Sequence, residues 1–187
     1  MPSLPEGIVA GHAARLLARA ATPERFDARL FARLLGARSA AGNIEALGLN
    51  SVALALLYGH WFPNAAAPRV TQPAPVPAHR LDEVDDVRVL LLEHRSRQTE
   101  EEIWLADILA HACLGQNHLW EDLGLADRAQ LSELLKRHFA PLAAKNTGGM
   151  RWKKFFYKQL CEREGLNLCR APSCAVCAEH PVCFGPE

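Results

Sequence analysis

Four cysteines fall within fifteen residues near the end of this 187-residue chain, in "CRAPSCAVCAEHPVC", residues 169 to 183. Their spacing is C-x4-C-x2-C-x5-C, and Pro172, Pro181 and Pro186 keep the segment from sustaining a helical hydrogen-bond ladder. The sequence therefore calls for a non-helical loop whose thiols are gathered by chemistry rather than by secondary structure. Disulfides, a zinc ion and an iron–sulfur cluster are the three chemical answers. Five of the six cysteines lie in the last 27 residues. In a reducing compartment such clustering points to metal rather than to a disulfide framework.

The compartment follows from the rest of the chain. Glu6, His12, Arg15 and Arg19 interrupt every apolar run near the N-terminus, which does not read as a signal peptide. The most apolar stretch, residues 51 to 62, is too short to span a bilayer. Twenty-one basic and 21 acidic side chains leave a net charge of zero, so no global field steers the molecule onto nucleic acid or an anionic membrane. The expectation is a soluble, cytoplasmic protein with neither kind of partner.

Outside the tail the pattern is all-α, a bundle-like helical body. In "TPERFDARLFARLLGAR" Thr22 reads as the N-cap, Pro23 as the first helical position and Gly36 as the stop, with Phe26, Leu30 and Leu34 as the buried stripe. Arg25, Arg29 and Arg33 recur on another face, either to dock an acidic partner or as a solvated surface. A helix starts after Asn50 and stops before Pro63; residues 63 to 79, with five prolines between 63 and 77, then form an extended linker or strap. Four further helices follow. One begins acidic at Asp82 and Glu83, and one opens on a Thr99/Glu102 capping box. A third opens on Asp127 with Gln130, and the last, from Met150, ends at Gly165. The expected organisation is a helical region over 1–62, the linker over 63–79, a second helical region over 80–165 and the cysteine tail over 166–187.

The Cys174-x2-Cys177 knuckle can present two sulfurs to one metal centre. A zinc site usually takes two such knuckles, whereas Cys169-x4-Cys174-x2-Cys177 matches the first three ligands of plant-type ferredoxins. The spacing favours an iron–sulfur cluster and leaves zinc open.

The stretch "MRWKKFFYKQLCEREGLNLCRAPSCAVCAEHPVCFG", with "NHLWEDLGL" upstream, resembles the NifQ family, whose C-x4-C-x2-C-x5-C signature is matched without departure. The specific part covers residues 117 to 185. The resemblance implies a carrier of a molybdenum–iron–sulfur cluster that donates molybdenum for the nitrogenase iron–molybdenum cofactor. Its implied partners are the cofactor scaffold and the nitrogenase iron protein, and its implied ligands are Cys169, Cys174, Cys177 and Cys183. Soft thiolates suit that cargo. The alternative is a zinc-stabilised protein-interaction module.

Several other residues carry two readings. Cys161 lies near Lys154, Tyr157 and Lys158, which suits a transfer thiolate, or else it is a packed structural cysteine. Arg151, Lys153, Lys154 and Lys158 form either a cationic wall for an anionic cargo or a solvated face. His180 is a candidate extra ligand, or a hydrogen-bond donor to a cluster sulfur. His111, Cys113 and His118 are a candidate second metal site, against which stands plain packing at a helix end. No catalytic constellation emerges, and the expectation is a carrier, not an enzyme.

Overall fold

A computed structural model describes residues 5–165. Within them the helices are α1 (Glu6–Leu17), α2 (Phe26–Ala40), α3 (Ser51–Trp61), α4 (Leu81–Glu93), α5 (Glu100–Cys113), α6 (Leu119–Asp122), α7 (Arg128–His138), α8 (Ala140–Ala143) and α9 (Trp152–Arg163). Single 3-10 turns occupy Ile44–Leu47 and Ala78–Arg80, and no strand occurs among the described residues. The all-α expectation holds for the body. The cysteine loop lies outside the described residues.

Three helix starts, those of α3, α5 and α7, are set by side chains that the sequence singles out. Asn50 accepts a hydrogen bond from the Ala53 backbone N–H at 2.9 Å, and Asp127 accepts from Gln130 N–H at 2.8 Å. Each satisfies one of the amides that a helix start leaves unpaired. Glu102 accepts from Thr99 N–H at 3.3 Å, as a capping box requires. Gly165 takes φ +66° just past α9, the left-handed conformation that ends a helix and costs glycine nothing.

The second helix departs from expectation at both ends. Thr22 to Arg25 form a turn, closed by Arg25 N–H to the Thr22 carbonyl at 3.1 Å, and α2 begins only at Phe26. Gly36 does not stop the helix, which runs on to Ala40. A Cβ at Gly36 would sit 2.8 Å from the Ala13 backbone nitrogen. The glycine is there because α1 crosses α2 at that point, and no turn signal is involved.

The core is one continuous apolar cluster drawn from every helix. Phe31 lies at its centre, 6.0 Å from the ring of Trp61 and edge-on to Trp104 at 6.1 Å. Aromatic pairs at these separations stabilise by about 0.5–1.5 kcal/mol beyond area burial. The proline-rich stretch 63–79 joins the cluster through Val70, which is 6% exposed, and Ala74 N–H donates to the Glu45 carbonyl at 2.9 Å. It is a strap laid over the body.

One polar network crosses this core. His138 is fully buried; its Nε2–H donates to Asp27 at 2.9 Å and its Nδ1 accepts from Arg97 at 2.8 Å. Both bonds together specify the neutral Nε2–H tautomer. The Arg97 backbone N–H in turn donates to the buried Glu102 carboxylate at 3.0 Å. The network joins α2, the α4–α5 loop, α5 and the end of α7. Burial pushes the Asp27 carboxyl up, but the His138 hydrogen bond and the charges of Arg97 and Arg137 outweigh it and hold its pKa below the ordinary carboxylate value.

Candidate metal centre

Helix α9 leads into the cysteine-rich segment of the sequence and is seated firmly on the body. Trp152, Phe155, Phe156 and Leu160 are buried, as their spacing implies. Tyr157 and Cys161 on the other side are buried as well, at 7% and 4% exposure. The helix is thus covered on two faces, and Cys161 occupies a packed position instead of standing open beside Lys158.

Polar contacts fix the helix along its length. Trp152 Nε1–H donates to Ser132 Oγ at 3.1 Å. Lys153 Nζ donates to Asp122 at 2.5 Å and to the Gly115 carbonyl at 2.7 Å, while Arg38 donates to the Asp122 carbonyl. Tyr157 Oη donates to Glu83, whose carboxylate is also gripped by Arg80 through two bonds of 2.6 and 2.7 Å. Arg80 reaches on to the Leu114 carbonyl at 2.7 Å. At the far end Arg163 pairs with Glu93 at 3.1 Å. These groups tie α9 to α4, α5, α6 and α7.

The expected cationic wall is consequently altered. Lys153 is a clamp, with a carboxylate and a carbonyl already on its ammonium. Lys158 pairs loosely with Glu162 at 3.6 Å on the surface, a contact worth little. Of the arginine stripe, Arg33 is engaged within the fold, while Arg25 and Arg29 stay exposed, as a solvated face requires. Arg33 holds Glu6 bidentately at 2.6 and 2.7 Å and the Gly124 carbonyl at 2.8 Å, and Arg25 lies over the Trp61 ring. Neither the docking nor the solvated reading of Arg33 stands, because α1 closes over it.

The second metal site is not formed. His111 Nδ1–H donates to the Asp107 carbonyl at 2.9 Å, and its ring lies against Gly48 so closely that a Cβ there would be 2.1 Å from Nδ1. Cys113 is 3% exposed among the helices, and burial pushes its thiol up to about 12. His118 heads α6, where its backbone N–H donates to Glu121 at 3.0 Å and its ring stacks on Trp120. Among the described residues no three His, Cys, Asp or Glu side chains are grouped to hold a metal ion. The Tyr157–Glu83 and Lys153–Asp122 contacts are not legible in the sequence, since their members lie 74 and 31 positions apart and follow no local pattern.

Cys169, Cys174, Cys177, Cys183 and the candidate ligand His180 all lie outside the described residues. No helix among the described residues is long and apolar enough to cross a membrane.

Comparison with known proteins gives the family. The protein from Azotobacter vinelandii called Protein NifQ is 55% identical over 108 residues, 58% of this chain and 55% of that relative. A Protein NifQ homolog from Sinorhizobium fredii is 44% identical over 150 residues, covering 75% of this chain and 61% of its own. Protein NifQ of Rhodobacter capsulatus is 41% identical, with 75% and 77% covered. The chain thus spans little more than half the length of the first two relatives. No solved structure matches it. The NifQ family model matches residues 28–185, most of the helical body and all four clustered cysteines, and the chain therefore belongs to the NifQ family.

Proposed function

We propose that this protein carries a molybdenum–iron–sulfur cluster on Cys169, Cys174, Cys177 and Cys183 and donates molybdenum for assembly of the nitrogenase iron–molybdenum cofactor. The observation that carries the reading is the donor set itself. Four thiols at C-x4-C-x2-C-x5-C spacing lie inside the family match, directly after a helix pinned to the body. Sulfur donors suit iron and thiomolybdenum species and are poor ligands for magnesium or calcium. The two remaining cysteines, Cys113 and Cys161, are buried among the helices and do not compete for cargo.

The body supplies a support and the tail supplies the ligands. A donor has to let go of what it holds. Ligands placed after the last turn of a clamped helix can exchange without disturbing the core that α1 to α9 enclose. The cofactor scaffold and the nitrogenase iron protein are the partners this reading assigns, the cytoplasm is its compartment, and no catalytic turnover is asked of the chain.

Anaerobically purified protein should be brown and contain iron, acid-labile sulfide and molybdenum. A colourless protein containing stoichiometric zinc would replace this reading with the interaction module.

A further inference from the structure

A cavity of about 380 Å³ opens between the α5–α6 turn and the start of α9. Gln116, Asn117, His118 and Glu121 line it from the turn and α6, and Arg151 and Lys153 from α9. Ligand pockets of this size are ordinarily apolar with a few polar groups. Here almost every lining residue is a hydrogen-bonding one, which suits a small hydrated ligand and excludes an apolar one.

The wall is fixed before any ligand arrives. The Asp122 carboxylate accepts from Lys153 Nζ at 2.5 Å and from the Asn117 backbone and side-chain N–H groups at 3.2 and 3.1 Å. A Cβ at Gly115 would collide with that pinned carboxylate, so the turn closes on glycine. Lys153 has three N–H donors; Asp122 and the Gly115 carbonyl, at 2.7 Å, take two and leave the third for the cavity it lines. Charge sets the sign of the ligand. Arg38, Lys153 and Arg151 stand against two carboxylates, Asp122 and Glu121, which leaves one positive charge in excess in a partly enclosed cleft. Glu121 is itself engaged by the His118 backbone N–H at 3.0 Å.

We propose that this cavity binds a small tetrahedral oxyanion, and that molybdate is the one it takes. Such an anion offers acceptor oxygens alone, and the Arg151 guanidinium and Lys153 ammonium offer donors alone. Water bridges fill the space around it. The choice of molybdate rests on the function proposed above: oxidised molybdenum in neutral water is this dianion, and a carrier has to capture it in that form. No cysteine among the described residues lines the cavity, so capture here is by charge and hydrogen bonds, with no bond to molybdenum made or broken.

Equilibrium dialysis of the full chain against molybdate, with bound molybdenum read by elemental mass spectrometry, tests this. The chain carries Cys174→Ala/Cys177→Ala, so that no cargo on the tail is counted. About one equivalent should bind, and sulfate or phosphate at the same concentration should not displace it. Arg151→Glu, and separately Gln116→Glu at an exposed turn position, should each weaken binding by about tenfold or more with unchanged circular dichroism. Absence of binding overturns the proposal, as does binding that both substitutions leave intact. Displacement by sulfate or phosphate overturns the assignment to molybdate. Iron and sulfide missing from the wild-type tail would sink the cluster reading and leave this result untouched.

Discussion

Replacing His138 by Leu removes the donor that holds Asp27 inside the fold, and the structure sets the size of the effect. Asp27 is 6% exposed and receives the His138 Nε2–H at 2.9 Å, while Arg97 stands 3.9 Å from its other oxygen. A hydrogen bond to a charged group is worth about 1.5–3 kcal/mol. Leu fills much of the imidazole volume, so cavity loss is minor. Arg97 is 43% exposed and recovers its lost acceptor from water, so it adds little. The expected loss is about 2–3 kcal/mol at neutral pH. For a chain of this size that lowers the midpoint of thermal unfolding by about 4–10 °C.

The effect depends on pH in a defined direction. The folded pKa of Asp27 is depressed below its ordinary value of 3.8, so its contribution is complete above that value and fades as the pH falls through the folded one. In His138→Leu the carboxylate loses its hydrogen bond while its burial remains, and protonation relieves it. The gap between wild type and variant should therefore narrow in acid. Thermal melts followed by circular dichroism at neutral pH and near the carboxylate range measure both quantities. A variant that melts within about 2 °C of wild type at neutral pH, less than 1 kcal/mol for this size, would refute the claim that this pair fastens α2 to α7.

Two other outcomes are specific to this fold. Gly36→Ala should destabilise by about 1–3 kcal/mol, because the new methyl meets the Ala13 backbone at 2.8 Å; the same change at an open helical site stabilises by about 0.5–1 kcal/mol, so the sign of the shift in a denaturation curve decides the matter. Cys113, with its thiol raised to about 12 by burial, should resist alkylation in the native protein at neutral pH and react fully in denaturant, as read by mass spectrometry of the peptides; rapid native labelling would contradict its placement.

Much of this was legible in the chain because capping is local. Asn50, Asp127, Glu102 and Gly165 act within four residues of themselves, and each was read correctly. Gly36 was misread because its reason lies across space, in Ala13, where no local pattern points. Cys161 illustrates a second limit. Periodicity ranks the faces of a helix against one another but does not say how many of them are covered, and α9 is covered on two. Arg33 and Lys153 show a third, since a charged stripe looks the same whether it meets water or an internal carboxylate. The four clustered cysteines stand out by their spacing alone, which is written in sequence, and they lie outside the described residues.

Metal and sulfide analysis of the anaerobically purified full chain, beside Cys174→Ala/Cys177→Ala, tests the central claim most directly. The account predicts iron, acid-labile sulfide and molybdenum in the wild type. It predicts their loss in the double variant, with the helical circular dichroism of the body retained. A double variant that still holds a full complement of iron and molybdenum would contradict it.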